Sequence, residues 1–114
     1  MPVELTMAEH QGVHVVSVQG RIDSANADEL ESGLIDLFSK PGDRAVVNLG
    51  ELDYISSAGL RVILLLAKRA RQNAGRLVLS GLAPQVREVF EISGFLKILD
   101  TAADYESAMK LLAA

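Results

Sequence analysis

The chain has 114 residues, a formal charge of −4 at neutral pH and an apolar share of 49%, which suits one domain with a core of its own over residues 1–114. It has no cysteine, which excludes a disulfide frame and a thiolate metal site and is compatible with a cytoplasmic setting. An acidic chain without a basic patch is a poor candidate for nucleic acid, whose binding is dominated by phosphate contacts; the longest apolar run, residues 62–67, is far too short to span a bilayer.

No positively charged start followed by an apolar run occurs, so no signal peptide is expected. With two tyrosines, three phenylalanines and no tryptophan, the core must come mostly from Leu, Val, Ile and Ala. Residues 3–9 alternate apolar and polar side chains, which predicts a half-buried strand. His10-Gln11-Gly12 supplies a turn, and residues 13–18 a second strand, so the two should form a hairpin. His10 and His14 fall beside the turn and on the polar side of a strand. No carboxylate cluster nearby completes a set of ligands, so no metal site is expected.

Gly20-Arg21-Ile22-Asp23 leads into a helix expected over 25–39. Asn26 and Glu29 have the spacing of a capping box, with Asp23 or Ser24 as alternative caps. Leu30, Leu34, Leu37 and Phe38 form its apolar stripe. Pro41-Gly42-Asp43 breaks the pattern, and residues 45–49 are nearly all apolar, as in a central strand covered on both faces. A helix follows from Ser57 or Ala58 to about Asn73. Its apolar residues exceed one stripe: Leu60, Ile63, Leu64 and Ala67 can face a sheet, whereas Val62, Leu65 and Leu66 fall partly outside that arc. They either pack on another layer or form a partner surface. Residues 76–81 read as a strand and Pro84–Ile92 as a helix opened by its proline. A short last strand is expected at 96–99, and a terminal helix at 102–113.

The order is ββαβαβαβα. Strands alternating with short helices predict parallel pairing through right-handed crossovers. The expected fold is α/β, a mixed five-stranded sheet with four helices. Ligands on such sheets meet the carboxyl ends of strands, and the turn carrying Ser56 and Ser57 lies at that end.

A serine there is a natural helix cap, and the helix start offers partial positive charge and free N–H donors. Three readings follow: a cap, a nucleophile or a phosphate acceptor. The nucleophile needs a base within hydrogen-bond reach and a group to orient it. Only His10 and His14 are available, and no Gly-x-Ser-x-Gly elbow is present, so no enzyme activity is expected. Without a Walker A or a Gly-x-Gly-x-x-Gly motif, no nucleotide cofactor is expected either.

Tyr54-Ile55-Ser56-Ser57-Ala58-Gly59-Leu60-Arg61-Val62-Ile63-Leu64, after Val46-Val47-Asn48-Leu49, resembles the signature of the STAS domain family, the bacterial anti-sigma factor antagonists. Gly20-Arg21-Ile22-Asp23 followed by a helix resembles that family's second landmark. The resemblance runs from about Val3 to Leu112 and implies the same sheet architecture. It further implies that Ser57, two places before Gly59, is phosphorylated by an ATP-dependent anti-sigma serine kinase. The unmodified protein would bind that kinase and so release a sigma factor, and a metal-dependent phosphatase of the PP2C type would restore it. Asp23, matching the acid that closes the second landmark, would lie near the turn. With it, Ser56, Ser57, Ala58, Gly59, Arg61 and Val62 would meet the partner.

Three positions depart from the family pattern. Ser56 stands where aspartate is frequent, Ala58 where Ser or Thr is frequent, and Asn48 where a strand-end acid is frequent. Ser56 is therefore a second candidate acceptor. The same resemblance also allows a STAS subunit that binds a transporter or a signalling scaffold without phosphorylation.

Overall fold

In a computed structural model of the protein, which describes residues 3–113, the frame is set by strand β2 (Val13–Ile22). Strand β1 (Glu4–His10) lies antiparallel to it, from Glu4 opposite Gln19 to His10 opposite Val13. Gln11 and Gly12 join the two with φ of 55° and 78°, a pair of positive values that matches the twist of a hairpin. Helix α1 (Ala27–Leu34) returns the chain to β3 (Arg44–Asn48), parallel to the first half of β2. Strand β4 (Leu52–Ile55) and helix α2 (Ser57–Gln72) follow, then β5 (Arg76–Ser80), helix α3 (Pro84–Ile92), strand β6 (Asp100–Ala102) and helix α4 (Tyr105–Ala113). The main path runs β1-β2-β3-β5-β6, and every pair after the hairpin is parallel.

The α/β class, the four helices and the parallel order agree with expectation. The sheet has six strands rather than five, because β4 pairs with Gly20–Ile22. β2 outruns β3, which ends with Asn48 opposite Ser17. The chain then turns through residues 49–51, with Leu49 N–H on the Ser80 carbonyl at 2.9 Å, and pairs again with the free end of β2. Leu52 and Ile55 are buried while Asp53 and Tyr54 face out, a pattern that reads as a turn when the sequence is seen alone.

Two other expectations need correction. The first helix ends at Leu34 instead of residue 39, and turns carry the chain to Phe38. All four stripe residues are nevertheless buried: Leu30, Leu34, Leu37 and Phe38. The strand expected at 96–99 is a single 3-10 turn at Phe95–Lys97, entered through Gly94 at φ 79°. The chain reaches the edge of β5 only at Asp100, opposite Val78.

The apolar surplus of α2 is explained by position. Leu60, Val62, Ile63, Leu66 and Ala70 are all buried, because α2 packs on α1 as well as on the sheet. Burying a Leu or Ile side chain is worth about 1.5–3 kcal/mol, so both interfaces are substantial. On the opposite sheet face, α4 covers Val13, Val46 and Val78 with Ala108 and Leu112.

Candidate functional site

β2 and β4 end side by side, with Ile22 opposite Ile55. The next residues on these strands are Asp23 and Ser56, and the Ser56 N–H donates to the Ile22 carbonyl at 2.9 Å. Ser56 is extended, at φ −87° and ψ 174°, and its Oγ accepts the Gly59 N–H at 3.3 Å. It is the N-cap of α2, and it spends its hydroxyl on a donor that the helix leaves free. Ser57 is the first residue of the helix proper and is exposed. The two candidate acceptors thus differ in state: one is half-buried and engaged as a cap, the other stands in solvent over the helix N-terminus.

Asp23 is half-buried beside this turn. Its Oδ1 accepts the Ala25 N–H at 2.9 Å, and its carbonyl accepts the Ala27 N–H at 3.0 Å, so it starts α1. Asn26, which has capping-box spacing with Glu29 and is one candidate cap beside Asp23 and Ser24, makes no side-chain bond to the first turn of α1. One residue pair before the turn, the Arg21 guanidinium lies 4.5 Å from the centre of the Tyr54 ring, a cation–π contact between partners in the parallel ladder.

From Ser57 a shallow groove of about 330 Å³ runs along α2 to the end of α3, lined by Leu60, Arg61, Leu64, Ser93 and Phe95. Its walls are mainly apolar carbon, and Arg61 is the charged side chain among them. Leu64, Ser93 and Phe95 were not singled out by sequence reasoning as site residues. Tertiary folding brings Phe95 and Leu64 to the same groove; only Gly94, a stop after α3, hinted that residue 95 turns back.

Of the expected contact residues, Ser57 and Arg61 are exposed, and Asp23, Ser56 and Ala58 are half-buried. Gly59 and Val62 are buried. Val62, expected on the docking surface, belongs instead to the main core. Asn48, at the end of β3, is bonded to its neighbours in the sheet. Its Oδ1 accepts the Ser80 hydroxyl and its Nδ2 donates to Ser17 Oγ at 3.5 Å. It lines a hollow with Ser17, Ser80 and Tyr105, separate from the groove that Ser57 lines.

The histidines stand far from the serines. His14 is the second residue of β2, about 25 Å from the Ile22 end at the usual rise of a strand, and its Nε2 is 3.6 Å from Asp43 Oδ1. Neither that geometry nor the hairpin position of His10 offers a base to Ser57. Among the described residues, no helix is long and apolar enough to cross a membrane.

A mixed sheet of this order, with a serine pair at the start of α2 where β4 hands over to it, defines a class. The chain belongs to the STAS domain family, whose model matches residues 4–108. It is 53% identical over 106 residues to BtrV of Bordetella bronchiseptica, across 93% of this chain and 91% of that protein, which is named as an anti-sigma factor antagonist. Its fold is similar to the crystal structure of an anti-sigma factor antagonist from Mycobacterium paratuberculosis, with a TM-score of 0.87 at 22% identity, covering 98% of this chain and 95% of that one. It is also similar to SpoIIAA of Bacillus in two solved forms. The unphosphorylated form gives a TM-score of 0.77 at 20% identity over 97% of this chain and 98% of that one. The phosphorylated form gives 0.69 at 20% identity over 95% and 99%.

Proposed function

We propose that this protein is an anti-sigma factor antagonist that binds an anti-sigma serine kinase and is switched off when that kinase phosphorylates Ser57. The observation that carries the reading is the division of labour in the serine pair: Ser56 holds the helix and Ser57 is free in solvent. The family membership and the names of its relatives support an anti-sigma factor as the partner. A PP2C-type phosphatase completes the cycle by removing the phosphate.

The chemistry needs little from the protein itself, because the kinase brings ATP and the catalytic groups. A phosphate on Ser57 adds roughly −1.5 to −2 charges at pH 7. The N-terminus of α2 tolerates them, since free N–H groups and the helix dipole face the anion. Arg61 lies one turn further along the same helix face and is exposed, at the spacing where side chains meet. The modified protein therefore stays folded. What changes is the rim of the apolar groove, where a doubly charged group must now be stripped of water before a partner can dock. Phosphorylation acts on affinity rather than on stability.

Incubation with the cognate kinase and ATP, followed by peptide mass spectrometry, tests this reading. The expected result is one phosphate on Ser57; kinase binding with no phosphate there would overturn the switch. Ser57→Ala should bind the kinase and remain unmodified, and Ser57→Asp should bind at least tenfold more weakly.

A further inference from the structure

Asn26 is buried, 8% exposed, and with Ser80 is one of two polar residues so placed among those described. Its amide is spent in a way that helix capping does not explain. Nδ2 donates to the Arg21 carbonyl at 2.7 Å, and Oδ1 accepts the Asp23 N–H at 2.9 Å. These two backbone groups flank Ile22, whose own carbonyl accepts the Ser56 N–H at 2.9 Å. One buried amide therefore closes a ring from Arg21 to Asp23, and the serine turn hangs from the residue in the middle of that ring.

The start of α1 does not require this arrangement. The Asp23 carbonyl already accepts from Asn26 N–H at 3.3 Å and Ala27 N–H at 3.0 Å, and the Asp23 carboxylate takes the Ala25 N–H. A buried amide must be hydrogen-bonded or it costs free energy. Here both ends are satisfied by the one segment that carries Asp23 past Ser56. The side chain is short and its two bonds point to groups two residues apart, so it specifies the backbone path closely.

We propose that Asn26 is a positioning residue of the switch: it sets where Asp23 stands relative to the Ser57 turn, and through Asp23 how tightly the kinase engages the pair. The inference rests on the reading of Ser57 as the kinase's acceptor, and it adds a residue that never touches the partner. Asp23 and Ser57 sit on separate elements joined at the Ile22–Ser56 hydrogen bond, so a kinase that grips both needs their spacing fixed beforehand.

Two measurements on the full chain test it. In amide hydrogen exchange, Asn26→Ala should speed exchange at Asp23 and Ser56 at least tenfold while Val46, Val47 and Val78 keep their protection. In steady-state phosphorylation, Asn26→Ala should raise the KM for this protein about tenfold and leave kcat within twofold. The double variant Asp23→Ala/Asn26→Ala should then be no worse than Asp23→Ala alone, because one residue acts through the other. If Asn26→Ala does not fold, Asn26→Thr, whose single shorter hydroxyl replaces the separate donor and acceptor atoms of the amide, carries the same readouts. Unchanged exchange at Asp23 and Ser56, a general loss of protection, or additive kinetic effects would each overturn the proposal. Failure of the kinase to modify the unaltered protein would refute the acceptor reading instead, and the exchange result would still decide whether Asn26 fixes Asp23.

Discussion

Gly59 lies against Ile22 so closely that a β-carbon added to it would come 2.5 Å from Ile22 Cγ2 and 2.7 Å from Ile55 Cγ1. The close approach is what lets α2 begin directly over the paired ends of β2 and β4. Inside a helix, Gly→Ala ordinarily stabilises by about 1 kcal/mol. Here the added methyl overpacks a core of branched side chains, which costs about 1–3 kcal/mol. Gly59→Ala is therefore expected to lower stability in urea unfolding. A gain in stability would show that the contact between Gly59 and Ile22 is not what the residue is for.

The serine pair gives two substitutions with opposite signatures. Ser56→Ala removes the N-cap of α2 and should cost about 0.5–2 kcal/mol. Ser57→Ala alters an exposed side chain and should stay within about 0.5 kcal/mol of the unaltered protein. Phosphorylation should follow the reverse order, being abolished in Ser57→Ala and kept in Ser56→Ala. Comparing unfolding midpoints with phosphate incorporation for both variants checks the assignment.

The sequence made the serine turn legible because its signals are local. A strand of Ala45-Val46-Val47, a serine pair and a helical apolar spacing all lie within one stretch, and the cap formed as the residue types demand. Pro84 likewise opened α3 where expected. What was hidden depended on partners distant in sequence. β4 exists because the free end of β2 is available to it, and Leu52-Asp53-Tyr54-Ile55 shows no alternation that would announce a strand. The amide of Asn26 took two backbone partners upstream of it instead of the helix start ahead of it. The groove beside Ser57 needs Phe95 brought across from the end of α3, which no spacing within either helix encodes.

That groove yields a separate prediction. Leu64 is half-buried on its wall, so Leu64→Glu places a charge where a partner's apolar surface must dock. Kinase affinity should fall at least tenfold in calorimetry or surface binding. Leu111 is 37% exposed on α4, the helix that covers the opposite face of the sheet. Leu111→Glu should leave that affinity within twofold, and an equal loss in both variants would move the docking surface away from the groove.

The start of α4 carries a pH signature. The Ser107 N–H, 2.8 Å from Asp104 Oδ1, holds the Asp104 carboxyl below the ordinary aspartate value, helped by the Ser107 hydroxyl and, least, by Lys110. A carboxylate with a depressed folded-state pKa stabilises the helix start above its unfolded value, and the contribution is lost as pH falls through the folded value. The residue is fully exposed, so the effect is local fraying of α4. The Ser107 amide shift should titrate with a midpoint below that of an unperturbed aspartate, and Asp104→Asn should remove the transition.

The other end of α4 is held by arginines from the sheet. Arg44 Nη1 donates to the Leu112 carbonyl at 2.7 Å, and Arg76 Nη1 to the Leu111 carbonyl at 2.9 Å. Arg76 is itself braced by Asp100 at 3.1 Å. A helix of nine residues is too short to persist alone, and its last carbonyls would otherwise lack partners. Cations at that end also suit the helix dipole. Arg44→Met keeps the length of the side chain and removes its donor, at an expected cost of about 1.5–3 kcal/mol for a charged hydrogen bond. Amide exchange in α4 should accelerate well before that in β3. Because α4 covers the face away from Ser57, phosphorylation of the folded variant should proceed at the unaltered rate, so that stability and switching separate on the two sides of one sheet.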